Sequence, residues 1–219
     1  MQMGSSNLAS YIEHTLLKAD ATPRDIDRLC AEAITHQFLG VCVNPLFVAP
    51  SRRLLEGHAV RVITVVGFPL GAGLPEVMAR ETRAVLEAGA VEVDMVIPVG
   101  AALAGDWARV TEHVKAVRDA CPGAVLKVIL ETGYLNQEQI DATARAALSG
   151  SPDFLKTSTG FGPRGASLAD IEQLRALCPP QVGIKASGGI RTRQFALELI
   201  AAGATRLGTS SGVAIVTSS

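Results

Sequence analysis

Aromatic residues make up only 4% of this 219-residue chain, which argues against a stacking platform for single-stranded nucleic acid. Neither sign of charge is in excess, with 20 Lys and Arg against 21 Asp and Glu. No basic surface therefore recruits DNA, RNA or an anionic membrane. The cysteines, Cys30, Cys42, Cys121 and Cys178, contain no CxxC pair for zinc or redox chemistry. No run approaches the ~20 apolar residues of a membrane span. Residues 1–10 have neither the basic end nor the apolar run of a signal peptide. A reducing cytoplasm is the expected compartment. His14, His36, His58 and His113 form no HxH or HExxH pair, so neither a metal nor another cofactor is expected. Lysine is scarce as well: Lys18, Lys115, Lys127, Lys156 and Lys185 stand beside a threefold larger number of arginines.

What the chain does have is a repeated alternation. Apolar runs rich in β-branched residues occur at Tyr11–Thr15, Phe38–Val43, Val60–Val66, Val91–Ile97, Val125–Leu130, Asp153–Thr157, Gly183–Ala186 and Thr205–Leu207. Helical periodicity fills the spaces between them. Thr22-Pro23-Arg24-Asp25 reads as an N-cap with a first-turn proline. Asp106–Cys121 places Val110, Val114, Val117 and Cys121 on one face. Asn136 and Gln139 form a capping box opening a helix to Leu148. Gly89, Gly150 and Gly203 stand where left-handed C-caps belong. His36 and His113 are expected on helix surfaces, while His14 either lines a pocket or packs in the core.

Strands alternating with helices imply a parallel sheet with right-handed crossovers. Eight units in this length predict an α/β fold, a (β/α)8 TIM barrel spanning 1–219 as one domain. An open doubly wound sheet is the competing architecture, but its dinucleotide or P-loop fingerprint is missing after the first strand.

In such a barrel, chemistry sits at the C-terminal strand ends. Three of the five lysines, Lys127, Lys156 and Lys185, interrupt apolar strand runs, whereas Arg solvates the helices. One buried lysine could merely pair with a barrel carboxylate such as Glu92, Asp94 or Glu131. Three are harder to place that way, because each buried ammonium needs a partner or a depressed pKa. Lys156 and Lys185 occupy equivalent places in successive units, so their side chains can converge and disfavour each other's charge. The product is a neutral amine able to attack a carbonyl, with Asp94 placed to move protons. Gly160, Gly188, Gly189, Gly208 and Ser210 follow strands six to eight, where barrel phosphate sites form. The residues thus point to a phosphorylated carbonyl substrate handled by Schiff-base chemistry.

The runs EVDMV at 92–96, LKVILETG at 126–133, DFLKTSTGF at 153–161, IKASGGIRT at 184–192 and GTSSG at 208–212 resemble the deoxyribose-phosphate aldolase family over nearly the whole chain. That resemblance implies a metal-free class I aldolase, a lyase that converts 2-deoxyribose 5-phosphate reversibly to glyceraldehyde 3-phosphate and acetaldehyde. It implies that Lys156 forms the Schiff base, Lys185 holds down the pKa of Lys156, Asp94 relays protons and Lys127 supports them. Thr15, Thr159, Gly160, Gly188, Gly189, Gly208 and Ser210 fall in its substrate and phosphate loops. Two departures stand out. Glu13 occupies a position where the family usually has Asp, and the C-terminal tyrosine of many members has no counterpart before Ser219. A short or frayed last helix, and either slower proton exchange at the enamine or a substitute group, are expected from the second. Another phosphosugar barrel enzyme and a silent sugar-phosphate sensor are the rival readings. Barrels of this size pair through apolar outer faces into homodimers or tetramers, and no patch in the sequence marks such a face.

Overall fold

A computed structural model of the protein describes residues 8–218. Eight parallel strands close into a barrel in sequential order, β1 to β8. They are β1 (Ile12–Leu16), β2 (Gly40–Val43), β3 (Arg61–Val66), β4 (Glu92–Val96), β5 (Val125–Ile129), β6 (Phe154–Lys156), β7 (Gly183–Ser187) and β8 (Arg206–Thr209). The outer helices are α1 (Pro23–Thr35), α2 (Val48–Leu54), α3 (Pro75–Glu87), α4 (Val99–Leu103), α5 (Trp107–Ala120), α6 (Gln137–Leu148), α7 (Leu168–Leu177), α8 (Arg193–Ala201) and α9 (Gly212–Thr217). The (β/α)8 TIM-barrel expectation holds, and each strand overlaps its anticipated run. The last helix is short, six residues.

Capping chemistry sets several helix starts. Thr22 and Asp25 form a reciprocal capping box at α1, and Asn136 and Gln139 do so at α6. Asp106 caps α5 by accepting from the Arg109 backbone N–H. Two of the three C-cap glycines have the expected left-handed backbone, Gly89 at φ 109° and Gly203 at φ 117°. Gly150 does not: Ser151 takes the left-handed conformation at φ 58°. Gly150 is instead a packing glycine, because a Cβ there would lie 2.4 Å from Val114 Cγ1 on α5.

The strand period of two divides the side chains between two cores. Val93, Met95, Leu126, Val128, Leu155, Ile184 and Ala186 face outward and pack against the helices. Their neighbours point into the barrel. On one side the interior is apolar, with Cys42, Ile63, Val65 and Leu17. On the other side it is ionic, and this asymmetry makes the site. His113 corrects the sequence reading: it is buried, with Nδ1 2.8 Å from Arg109 O and Nε2 3.2 Å from Gly73 O. His14 resolves toward the core, buried with Nε2 2.7 Å from Glu32 Oε2 on α1. Among the described residues, no helix is long and apolar enough to cross a membrane.

Candidate active site

Strand register determines which charged groups meet. Asp94 on β4 lies opposite Lys127 on β5, and Lys156 on β6 lies opposite Lys185 on β7. All four side chains point inward and are buried, Lys127, Lys185 and Asp94 completely. Asp94 is the hub. Its Oδ2 accepts from Lys156 Nζ at 2.7 Å and from Lys185 Nζ at 2.6 Å, and its Oδ1 accepts from Lys127 Nζ at 2.9 Å.

Glu13 and Glu92 complete the cluster from β1 and β4. Glu13 Oε2 accepts from Lys185, and Glu13 Oε1 lies 3.4 Å from Lys127 Nζ. Glu92 Oε2 sits 2.6 Å from Lys127 Nζ, and Glu92 Oε1 accepts from the half-exposed Arg61 at 2.7 Å. The lysines therefore do pair with barrel carboxylates, as the plainer sequence reading allowed. Glu131, one of the carboxylates considered for that role, instead turns to the next loop and accepts from Thr159 N–H and Oγ1. It does so from a left-handed backbone at φ 53°, strained for a non-glycine residue.

The three central groups titrate differently because their surroundings differ. Burial would raise the Asp94 carboxyl, but the Lys127, Lys156 and Lys185 ammonium groups override it and hold it well below the usual carboxylate range. Burial is the largest influence on Lys156 and pushes its amine down; Lys185 pushes the same way and Asp94 only partly opposes. Burial acts downward on Lys185 too, yet Asp94 and Glu13 outweigh it and carry that amine above its ordinary value. One lysine of the pair is poised to lose its proton and the other to keep it. Cys42, on the apolar side of the interior, is raised by burial to about 11 and stays a thiol.

Above the cluster lies a cavity of about 370 Å³ at the C-terminal ends of β1, β6, β7 and β8. Lys156 is on its wall, while Asp94, Lys127 and Lys185 lie beneath it. Every residue expected to bind substrate or phosphate reaches this cavity: Thr159, Gly160, Gly188, Gly189 and Ser210 from the loops, and Thr15 and Gly208, expected in loops, from within β1 and β8. Gly188 and Gly165 touch backbone to backbone, so a Cβ on Gly165 would fall 2.1 Å from Gly188 O. Gly208 serves twice, since a Cβ there would lie 2.9 Å from Lys185 Cε. Its missing side chain is the space through which Lys185 extends.

Several wall residues escape a reading by motif alone. Lys18 and Arg191 bring exposed cations to the rim, and Leu16, Phe161 and Ile190 supply apolar surface. Lys18 carried one available signal, being a rare lysine directly after the first strand. Arg191 lay within the GGIRT run. Among the described residues, no three His, Cys, Asp or Glu side chains are grouped to hold a metal ion.

Comparison with known proteins agrees with this geometry. The model of the DeoC/LacD family aldolases matches residues 8–218. A deoxyribose-phosphate aldolase of Deinococcus radiodurans is 53% identical over 210 residues, 96% of each chain. One from Thermus thermophilus is 51% identical over the same share of both chains. The tetrameric deoxyribose phosphate aldolase of Aeropyrum pernix superposes with a TM-score of 0.88 at 34% identity, covering 97% of this chain and 91% of that one. The buried lysine pair, its shared aspartate and the full-length match lead to one assignment: the chain belongs to the DeoC/LacD family of aldolases.

Proposed function

We propose that the protein is a Schiff-base aldolase, a lyase that cleaves 2-deoxy-D-ribose 5-phosphate reversibly into D-glyceraldehyde 3-phosphate and acetaldehyde, with Lys156 as the nucleophile. The observation that carries this is Lys156 itself. It is the lysine of the cluster on the cavity wall, and the one whose amine is pushed toward its neutral form. The reaction then follows from the groups around it. The Lys156 lone pair adds to C1 of the open-chain sugar, and water leaves to give an iminium. The C3 hydroxyl loses its proton, the C2–C3 bonding pair flows toward the iminium nitrogen, and glyceraldehyde 3-phosphate departs. Protonation of the remaining enamine at C2 and hydrolysis release acetaldehyde and the free amine. Asp94 and Lys185, 2.6 Å apart, are the acid–base pair for these transfers, through water where the distance requires it. Lys127 keeps the second oxygen of Asp94 occupied.

The phosphate belongs against Gly188, Gly189, Gly208 and Ser210, at the ends of β7 and β8. Gly189 has φ 76° and open space beside its Cα, which lets backbone N–H groups approach an anion closely. Lys18 and Arg191 add the charge. Lys18→Met and Arg191→Met are each expected to raise KM for deoxyribose 5-phosphate about tenfold, the scale of a lost hydrogen bond to a charged group. Turnover of unphosphorylated deoxyribose should stay unchanged. Steady-state kinetics on the two sugars checks this, and equal losses on both would contradict the assigned role.

The four cysteines are free and buried, which suits action in a reducing cytoplasm. Assembly as a homodimer or tetramer is part of the same reading, supported by the tetrameric relative and by the exposed Leu46, Leu70 and Leu74 side chains.

The direct test is chemical trapping. Incubation with acetaldehyde followed by borohydride should add a reduced two-carbon group to Lys156, located by peptide mass. A protein left unmodified at Lys156 would overturn the proposal. An isomerase working through a carboxylate base, or a binding-only sensor, would give that unmodified result.

A further inference from the structure

The segregation of Arg to the outside of the barrel has an exception. Arg206, at the start of β8, points inward and is 13% exposed. Its guanidinium lies 5.3 Å above the Phe154 ring on β6. Its Nη1 is 3.7 Å from Glu13 Oε1 and its Nη2 is 3.8 Å from Glu92 Oε1. These separations exceed a hydrogen bond, so the contacts are coulombic, and low-dielectric surroundings strengthen them.

Counting the interior charges gives this placement a meaning. Among the described residues, four cations, Lys127, Lys156, Lys185 and Arg206, face three carboxylates, Glu13, Glu92 and Asp94. Arg61 also reaches Glu92, but its side chain is 46% exposed and solvent screens it. A sealed interior disfavours an unmatched charge. One cation is surplus, and of the four only the lysines can lose a proton, because a guanidinium keeps its charge. Lys127 touches all three carboxylates and Lys185 touches two, whereas Lys156 touches Asp94 alone.

We propose that Arg206 is a positioning residue for the reaction: a permanent cation on the barrel floor that engages Glu13 and Glu92 and so makes Lys156 the surplus cation of the interior, the amine that gives up its proton. The inference rests on Lys156 being the Schiff-base residue. The groups bearing on Lys156 are Asp94 on β4, Lys185 on β7 and Cys42 on β2. Arg206 acts on it indirectly, through Glu13 and Lys185 on one path and through Glu92, Lys127 and Asp94 on the other.

The test is the pH dependence of acetaldehyde trapping on Lys156, measured in wild type, R206M, R206K and E92Q. Removing the Arg206 charge leaves three cations against three carboxylates, so Lys156 should hold its proton to higher pH. R206M is expected to move the acid limb up by about half to one unit, a three- to tenfold slower trapping at a fixed pH on that limb. The alkaline plateau should be kept. R206K should restore the wild-type limb. E92Q removes a negative charge and should move the limb the opposite way, and it carries the test alone if R206M does not fold. A uniform loss at every pH in R206M, no rescue by R206K, or a limb shifted upward in E92Q would each overturn the inference. If wild type forms no adduct on Lys156, the Schiff-base reading falls and this inference with it. If wild type forms the adduct and the variants keep its pH dependence, only the role of Arg206 falls.

Discussion

Lys156→Leu is expected to abolish borohydride trapping by acetaldehyde and to lower turnover by on the order of 10⁴-fold or more, the scale seen when a covalent nucleophile is removed. The fold should survive. Leucine fills much of the volume of the lysine stem, and the remaining interior charges, Lys127, Lys185 and Arg206 against Glu13, Glu92 and Asp94, balance three to three. The substitution therefore removes the charge that the proposed nucleophile must itself give up before it can attack. Removing one partner of a buried ion pair is ordinarily costly, but Asp94 keeps Lys127 and Lys185 as partners, so the thermal midpoint should stay close to that of wild type. This separates a chemical loss from a structural one. Turnover retained in the leucine variant, or an adduct relocated to Lys127 or Lys185 at the wild-type rate, would contradict the assignment.

Why the sequence revealed this lysine, and where it fell silent, comes down to the range of the interactions. Strands and helices are local: a period of two around Lys127 and a capping box at Asn136 are decided by residues within one element. The three inward lysines were legible because a cation between apolar neighbours in a buried strand cannot be accidental when lysine is so rare. Gly160, Gly188, Gly189 and Ser210 were legible because their positions after β6, β7 and β8 follow from the fold class, whereas Gly208, expected just past the eighth strand, lies within it. Partner choice was not local. Glu13 and Lys185 are 172 residues apart in the chain and meet only when the barrel closes, so the first-strand acid could be flagged but not paired. Glu131 was considered a lysine partner because it follows β5 directly. It is excluded from that role by its left-handed backbone, which swings the carboxylate to Thr159. Arg206 was hidden by the expectation that arginine faces solvent. His113 is a different kind of miss. It falls at the helical spacing of Val110, Val114 and Val117, so its burial was readable from the period that identified α5.

Lys185→Met carries the second large effect, and its sign distinguishes two roles for that residue. If Lys185 were only a scaffold for Asp94, its loss would slow the reaction equally at all pH values. The structure gives it an electrostatic role as well. It pushes Lys156 toward the neutral amine, and its own amine lies above the ordinary value because Asp94 and Glu13 outweigh burial. In wild type, kcat/KM should rise as pH increases through the depressed Lys156 value, with Lys185 keeping its proton beyond that limb. With methionine at 185, the interior is left with Lys127, Lys156 and Arg206 against three carboxylates, and the Oδ2 atom of Asp94 serves Lys156 alone. Without the push from Lys185, Lys156 then holds its proton to higher pH than in wild type. Turnover near pH 7 should fall by about 10²- to 10⁴-fold, the range set by loss of an acid–base group. Raising the pH toward 10 should recover trapping on Lys156 almost fully, because trapping needs the neutral amine. Turnover should recover only in part, because the Asp94–Lys185 pair proposed to deliver the enamine proton is still incomplete. Parallel pH profiles of trapping and turnover separate these two losses. A variant whose trapping is slow and independent of pH would show that Lys185 does not tune Lys156, and the division of labour between the two lysines would have to be redrawn.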